Sequence, residues 1–426
     1  MKLKKFGRAA LAAMVLMSLG TASGYCETLS VDEAVAMALA NNYDVKISAK
    51  DIEAAEQSLV SAKGANGISI GASSSLSYSD INKNGDDKGS SASLSLKLPL
   101  YTGKKNELTI ENAEDEVLRS NLTFQRTLED TELKTIEAYY DILAAKKIVA
   151  VDQETVDNYA AHLKDVQSLY SAGISPKVDV LRSEVELSDA RQTLVKSQNT
   201  YDVAVNTLKN IIRYDKDAAL EVEDYAPYVE SGYDLADCLA YANLKRSDLK
   251  ASQQKIAQAE RNIGIAKSGK LPTVDLSVSN GWDDQLLFSD DNHSLRAGVS
   301  AQWNLFDSNV TNAAVKKAEI ELEQAELEYD KLADSIDLDV RENYLSMREA
   351  EKRFTSTKLA ISQAEEDYFI AREKFKVGQG TMLDIIDAQL ALSTAKKNYI
   401  QAQYDYVTSK AKLENSMGMM RGGSNE

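Results

Sequence analysis

The chain has 426 residues, 43% apolar, 27% charged and 7% aromatic, with four prolines and a formal net charge of -17. That much periodic Leu, Ile, Val and Ala excludes disorder, and the acidic balance excludes a nucleic-acid partner while suiting a lumen or surface that favours cations. Two cysteines, Cys26 and Cys238, without a C-x-x-C, exclude a disulfide framework.

The first residues, Met1 to Arg8, are basic, Ala9 to Leu19 are apolar, and Gly20 to Gly24 are small. This pattern predicts a secretory signal peptide over 1–24, cleaved after Ala22 or Gly24. Cys26 raises the question of an N-terminal lipid. Tyr25 weighs against it, because it puts a bulky ring where lipoprotein signals take a small residue. No later run of about 18 apolar residues exists, so no transmembrane helix is expected after the signal, and entry into a membrane as strands stays open.

Residues 29–65 predict one Ala-rich amphipathic helix, with Ser30 as N-cap and Glu33 completing a capping box. The period then changes to two. Ile68, Ile70, Ala72, Leu76 and Tyr78 alternate with serines and Gly71, and Ala92, Leu94, Leu96, Leu98 and Leu100 alternate with Ser91, Ser93, Ser95 and Lys97. Both runs predict strands, joined by a polar loop from Asp80 to Gly89. Lys104 to Ala172 follows, 69 residues without proline or glycine, ending at Gly173-Ile174-Ser175-Pro176. There Ser175 is placed to cap a returning helix and Pro176 to fit its first turn, and that helix runs to about Ile212. A Tyr-rich acidic linker, 214–233, carries Pro227.

The pattern then repeats. Leu235 to Lys267 predicts a helix, and Val274, Leu276 and Val278 alternate with Asp275, Ser277 and Ser279. An Asp-rich loop (Asp283, Asp284, Asp290, Asp291) leads to Leu295, Ala297, Val299, Ala301 and Trp303 at every second position. Asn309 to Val377 is again 69 residues without proline or glycine, ending in Gly378-Gln379-Gly380-Thr381. Pro99 aligns with Asn304, Ala113 with Ala318 and Gly173 with Gly378, each 205 residues apart. A tandem duplication follows: a first repeat over 25–213 (strands about 67–100, helical hairpin 102–212), a second over 234–418 (strands about 273–305, hairpin 307–417), and a tail, 419–426. At about 1.5 Å per residue each long helix reaches about 100 Å, too long for one globular core. Leu322, Ala325, Tyr329, Leu332 and Ile336, then Phe354, Thr357, Ile361, Ala364, Tyr368, Ala371 and Phe375, form a heptad-like seam matched by Leu392, Ala395, Tyr399, Ala402, Tyr406 and Leu413. An ordinary coiled coil explains these positions individually.

Two strands per repeat, apolar on one face and polar on the other, suit a tilted membrane span of about 9–11 residues. A small soluble sheet is the alternative for any one strand. Four strands cannot close a barrel and an open edge is not tolerated in lipid, so a membrane-inserted chain of this kind oligomerises.

The opening Leu29-Ser-Val-Asp-Glu-Ala-Val-Ala-Met-Ala-Leu-Ala-Asn-Asn42 resembles the N-terminal signature of TolC-type outer-membrane efflux proteins. So do Leu98-Pro-Leu-Tyr-Thr-Gly103, Tyr170-Ser-Ala-Gly-Ile-Ser-Pro-Lys-Val-Asp179 and Phe375-Lys-Val-Gly-Gln-Gly-Thr-Met-Leu-Asp-Ile-Ile-Asp387. The resemblance covers the chain after the signal to about Gly418. It implies a mainly α fold with a transmembrane β-barrel, a homotrimer whose three chains build a 12-stranded barrel continuous with a 12-helix periplasmic tunnel. It also implies an outer-membrane channel of a tripartite efflux or type I secretion system, surrounded by outer-membrane lipid. Such a channel receives cargo from a periplasmic adaptor and an inner-membrane transporter of RND, ABC or MFS type. The adaptor would meet the turns at Gly173, Ser175, Pro176, Gly378 and Gly380.

The family's entrance carboxylates fall on Asp384 and Asp387, with Asp179 in the matching register of the first repeat. Where the family pattern has a Tyr before the glycine turn and an Arg after it, this chain has Phe375 and Gly380, which cannot make the corresponding gate-locking contacts. Arg182 is the candidate substitute. Helix capping explains Asp384 and Asp179. It does not explain Asp387, which lies past the first turn on the face of Asp384. Three chains would gather six such carboxylates, raising the pKa of some and attracting cations.

No G-x-S-x-G, H-E-x-x-H or phosphate-cradling glycine loop occurs, so no enzyme, cofactor or metal centre is expected. His162, in a polar helical stretch, and His293, in a loop, read as surface residues. A non-conducting coiled-coil tether or adhesin is the alternative function, which needs neither turn carboxylates nor duplicated strand pairs. A standalone porin would fill the chain with strands.

Overall fold

The computed structural model describes residues 28–81, 85–225, 228, 230–284 and 293–420. The signal segment, Cys26, Pro227, Asp290, Asp291 and the tail from 421 lie outside the described residues. The first repeat supplies α1 (Val31–Asn41), α2 (Tyr43–Gly64), β1 (Ser69–Ile81), β2 (Gly85–Tyr101), α3 (Lys105–Ser171) and α4 (Lys177–Ile212). The second supplies α5 (Leu235–Lys245), α6 (Ser247–Lys267), β3 (Thr273–Asp284), β4 (His293–Gln302), α7 (Val310–Lys376) and α8 (Met382–Met417). The long helices α3 and α7 have 67 residues each and the return helices α4 and α8 have 36 each. Their ends differ by the same 205 positions that relate the sequence repeats.

The backbone repeats as strictly as the sequence. Among the described residues, positive φ occurs at Gly103 and Ser308, Lys104 and Asn309, Gly173 and Gly378, and Arg213 and Gly418, four pairs at that same offset. Gly103–Lys104 and Ser308–Asn309 place two left-handed residues in succession where a strand turns into a long helix. A left-handed non-glycine residue costs about 1–2 kcal/mol, so the geometry persists only because the flanking strand and helix dictate it. Asp307 helps hold the second corner, accepting from the Thr311 backbone N–H at 2.8 Å.

The four strands form one antiparallel sheet in the order β1-β2-β3-β4. Its register carries the apolar face across all of them. Ile70 opposes Leu96, Leu96 opposes Val278, and Val278 opposes Ala297, with Leu98, Leu276 and Val299 in the next such row. The other face is a hydroxyl surface, with Ser73 bonded to Ser93 and Ser75 to Ser91 at 2.8 Å each. Lys97 pairs with Asp275 at 3.1 Å on that polar face. Pro99 sits where the β2–β3 register shifts, as a residue without an N–H must. The strands are longer than the alternation predicts. The expected loop from Asp80 to Gly89 is largely paired strand, because β1 runs to Ile81 and β2 begins at Gly85. Asp283 and Asp284, also expected in a loop, pair with Ser91 and Ser90. Polar side chains do not prevent backbone pairing once a neighbouring strand is in register.

Two expected single helices are each two. α1 ends and α2 begins at Asn42, which is extended at ψ 142, accepts from the Asp44 N–H at 2.8 Å and donates to the Ile211 carbonyl at 3.1 Å. Arg246 plays the same part between α5 and α6. Neither break contains proline or glycine. The cause is tertiary, since each side chain reaches the end of a return helix. The capping box of Ser30 and Glu33 forms as expected.

In the second repeat the predicted seam faces inward. Ala325, Ile336, Ala371, Leu392, Ala402, Tyr406 and Leu413 are buried. The segment expected as a linker is part of the core. Leu29 and Val222 bridge, Leu220 and Val222 join Leu143, Leu208 and Ile212 in the largest apolar cluster, and Tyr228 lays its ring 5.1 Å from both Phe354 and Tyr406. Fully burying a Leu or Ile contributes about 1.5–3 kcal/mol, so this strap binds both hairpins to each other.

A second apolar stripe on α7 remains uncovered. Ile320, Leu327, Leu338, Leu345, Leu359, Ile370 and Val377, spaced by 7, 11, 7, 14, 11 and 7 residues, are 41–68% exposed. These steps average close to a helical repeat and keep the stripe on one face for the length of the rod.

Candidate functional site

The two hairpin turns lie at the end of the molecule away from the sheet and are built alike. α3 closes through Gly173, with Ile174 N–H donating to the Leu169 carbonyl at 2.9 Å. α7 closes through Gly378, with Gln379 N–H donating to the Lys374 carbonyl at 2.9 Å. Both are Schellman closures, which need a left-handed residue, and both glycines have φ +76°. A Cβ on either would meet nothing within 4 Å, so conformation rather than space demands glycine. Gly378→Ala is expected to cost about 1 kcal/mol, read as a lowered thermal midpoint, whereas Gly298→Ala, with open space and no positive φ, leaves the midpoint unchanged. Gly380 is glycine for the other reason. A Cβ there would lie 3.0 Å from the Phe375 nitrogen and 3.2 Å from Lys374 Cβ, so a side chain at this position would push on the backbone of the turn.

α8 then starts from a complete capping box, with Thr381 N–H donating to Asp384 Oδ2 at 2.7 Å and Asp384 N–H to Thr381 Oγ at 3.2 Å. Those bonds from Thr381 hold the Asp384 carboxyl below its usual range, keeping it ionised at neutral pH. Asp387 is exposed and has no ion pair among the described residues. The first turn departs from its twin. Ser175, expected to cap α4, instead donates its hydroxyl to Asp179 Oδ2 at 2.8 Å. Pro176 takes the cap position with no side-chain bond, because proline offers the turn only its fixed φ. Arg182 is exposed and makes no ion pair among the described residues.

Phe375 faces inward. It packs on Ala371, Ile385 and Ala388, and its ring lies 5.1 Å from that of His162. Here the surface expectation for His162 fails, since the residue is 6% exposed. Its Nε2 lies 2.7 Å from Met382 Sδ, and Ser183 Oγ lies 3.8 Å from the same sulfur. The turn therefore has an interior of four side chains, one from each helix. Period alone hides this, because a lone His among polar residues carries no burial signal.

Between hairpins the contact is polar and ordered. Going down α3 and up α8, Glu137 meets Lys412 at 3.0 Å, Asp152 meets Lys397 at 2.5 Å, and Glu154 meets Lys396 at 2.8 Å. Asn158 then donates to Gln389 at 3.0 Å, and His162 meets Met382 last. Apolar packing holds each hairpin together internally, whereas the seam between hairpins near the tip is a ladder of exchangeable polar contacts.

The model of the family described as outer membrane efflux protein matches residues 34–212 and 239–419. The chain belongs to the outer membrane efflux protein family. Two matches, 34–212 and 239–419, fall one on each repeat. The chain is 22% identical to the outer membrane protein TolC of Escherichia coli over 431 residues, covering 96% of this chain and 86% of that one. It is also 22% identical to the outer membrane efflux protein BepC of Brucella suis, covering 96% and 90%. The solved structure of VceC from Vibrio cholerae superposes with a TM-score of 0.78 at 17% identity over 91% of this chain and 96% of that one. That likeness bears on the fold, two repeats of long helices on a shared antiparallel sheet. As a member of the family the protein is an outer-membrane efflux channel with a periplasmic extension. Among the described residues no helix is long and apolar enough to cross a membrane.

Proposed function

We propose that this efflux channel works as a homotrimer, its sheet closing with two copies into a 12-stranded barrel and its hairpins into a 12-helix tunnel. The observation that carries this reading is the pair of open sheet edges. β1 and β4 each have one partner within the chain, and lipid tolerates no unpaired edge. The uncovered stripe on α7 supports it independently, because an apolar row running the length of the rod needs a partner helix of the same length. Joining β4 of one copy to β1 of the next satisfies both at once.

The tunnel receives cargo from a periplasmic adaptor and an inner-membrane transporter of RND, ABC or MFS type, in an efflux or type I secretion system. The turns around Gly173, Ser175 and Pro176 and around Gly378 and Gly380 are the surfaces offered to the adaptor. They carry exposed Ile174, Val178 and Val377 at the extremity of the molecule. Asp384 and Asp387, with Asp179, form the entrance, and six carboxylates from Asp384 and Asp387 at its narrow end favour cations. Phe375 and His162 occupy the seam behind them.

Purification in mild detergent followed by cross-linking tests the assembly. A ladder ending at three chains, a protein that resists carbonate extraction, and step conductances in planar bilayers are expected. A carbonate-extractable protein without conductance would instead identify the non-conducting tether.

A further inference from the structure

We infer that His162 is the latch residue that holds the two hairpins of each protomer together at the tip, and that its protonation releases them. The inference rests on the channel reading above and adds a means of regulating that channel. Four observations support it. His162 is buried where all four long helices meet, touching Met382 of α8 and Phe375 of α7, with Ser183 of α4 on the same sulfur. It forms the last rung of the polar ladder between hairpins, the one nearest the turns. Gly380 brings no side chain to lock the turn from outside, and a Cβ there would crowd the Phe375 nitrogen at 3.0 Å. Arg182 points to no ion-pair partner among the described residues.

The groups facing the imidazole are nearly all uncharged. From α7 it meets the Phe375 ring and from α8 the Met382 thioether. The charged residues nearest to these in sequence are otherwise engaged. Arg372 and Lys376 pair with Glu373, and Asp384 caps α8, while Lys374 acts on Asp384. Asp165 on α3 and Asp179 on α4 are the two carboxylates that favour the charged ring. Asp165 is exposed to water and Asp179 is bonded to Ser175, so burial outweighs them and pushes the imidazole below its ordinary value.

The sign follows. A neutral ring, with its proton on Nε2, donates to the thioether and fits the packed tip. A charged ring keeps that donor but is stranded among a thioether, a phenyl ring and a hydroxyl, and gains hydration if the hairpins part. Above the ordinary imidazole value, about 6.5, the latch is fully engaged. As pH falls below that value the closed tip loses ground, by up to about tenfold per pH unit per protomer until the packed ring itself titrates. With three protomers the effect compounds. His162 acts by positioning α8 against α3 and touches no cargo.

The test is conductance of the full trimeric channel in planar bilayers between about pH 7.5 and about pH 5.5, spanning the ordinary imidazole value. Wild type is expected to open several-fold as pH falls. His162→Gln, polar and unable to titrate, is expected to give a flat profile in that window, whereas Met382→Leu retains the step because the ring remains. A His162→Gln profile identical to wild type overturns the inference, as does a wild type without any step. Should His162→Gln fail to assemble, deuterium exchange at imidazole C2 reads the titration in the wild-type protein. The two histidines of the chain make the assignment unambiguous. A His162 value below the ordinary imidazole value, about 6.5, supports the latch, and a value at or above it overturns the latch. A protein without any conductance fails as a channel, a different outcome from a channel that conducts without this pH step.

Discussion

Replacing Asp384 and Asp387 together by Asn is expected to remove block by a multivalent cation from the periplasmic side and to abolish the channel's cation preference. Both carboxylates are exposed on the first turns of α8, three residues apart and on one face. Asp384 is held ionised by the Thr381 bonds, and Asp387 lacks an ion-pair partner among the described residues. In a trimer, two acids per chain make six converging charges, so loss of all six should weaken block by on the order of 100-fold. Asn retains an oxygen that can accept the Thr381 N–H, so the capping geometry survives and assembly should be normal. Single-channel recordings with and without a trivalent cation decide the matter. Unchanged block in an assembled double variant would sink the gate assignment.

Arg246→Ala is expected to be the most destabilising substitution outside the apolar clusters. Arg246 is 5% exposed, and its guanidinium forks onto Asp248 at 2.9 and 2.5 Å and donates to the Ser416 carbonyl at 3.1 Å. It thereby breaks α5 from α6, satisfies an orphan carbonyl at the end of α8 and neutralises a partly buried acid. Beside it Arg126 performs the same service, donating to the Asn415 carbonyl at 2.9 Å and to Glu129 at 3.1 Å. Removing one partner of a buried ion pair costs about 3–5 kcal/mol. The lower end applies because the Asp248 side chain keeps 24% of its surface in solvent. The thermal midpoint of the solubilised trimer reads this loss.

A pH signature accompanies it. Burial alone would raise the Asp248 carboxyl, but the Arg246 fork and the Arg126 charge hold it below the usual carboxylate range. A depressed carboxyl contributes stability that is present above the unfolded value, about 3.9, and lost as pH falls through the folded value. Arg246→Ala should therefore be less stable than wild type at neutral pH and should converge towards it below about pH 4. A difference independent of pH would assign the loss to packing and to the Ser416 carbonyl alone.

Much of this molecule was legible because its signals are local. The 205-residue offset that aligned Gly173 with Gly378 recurs in the helix ends and in every positive-φ pair. The alternation around Leu96 and Val278 returned a sheet with one continuous apolar face. The seam of Ala325, Ile336 and Ala371 is the buried one, and the Thr381–Asp384 box formed as its spacing implied. The second stripe on α7 was not read, because a row of Leu and Ile at helical spacing has the same period whether its partner is the same chain or another. The breaks at Asn42 and Arg246 contain no breaker residue, and the linker carries no periodicity.

By itself, then, the sequence determined the duplication, the strand faces, the heptad seam, the turn conformations at Gly173 and Gly378 and the acids that follow the second of them. Each depends on covalent geometry or on a repeat within a few residues, so each is written in neighbouring letters. Only the tertiary structure decided that His162 is buried against Met382 and Phe375, that a Cβ at Gly380 would crowd the turn, and that Tyr228 straps α7 to α8. The contacts of His162 and Tyr228 depend on residues more than a hundred positions apart meeting at one point, and no local period records which distant side chain will arrive there; the crowding at Gly380 depends on how tightly the turn folds back on Lys374 and Phe375.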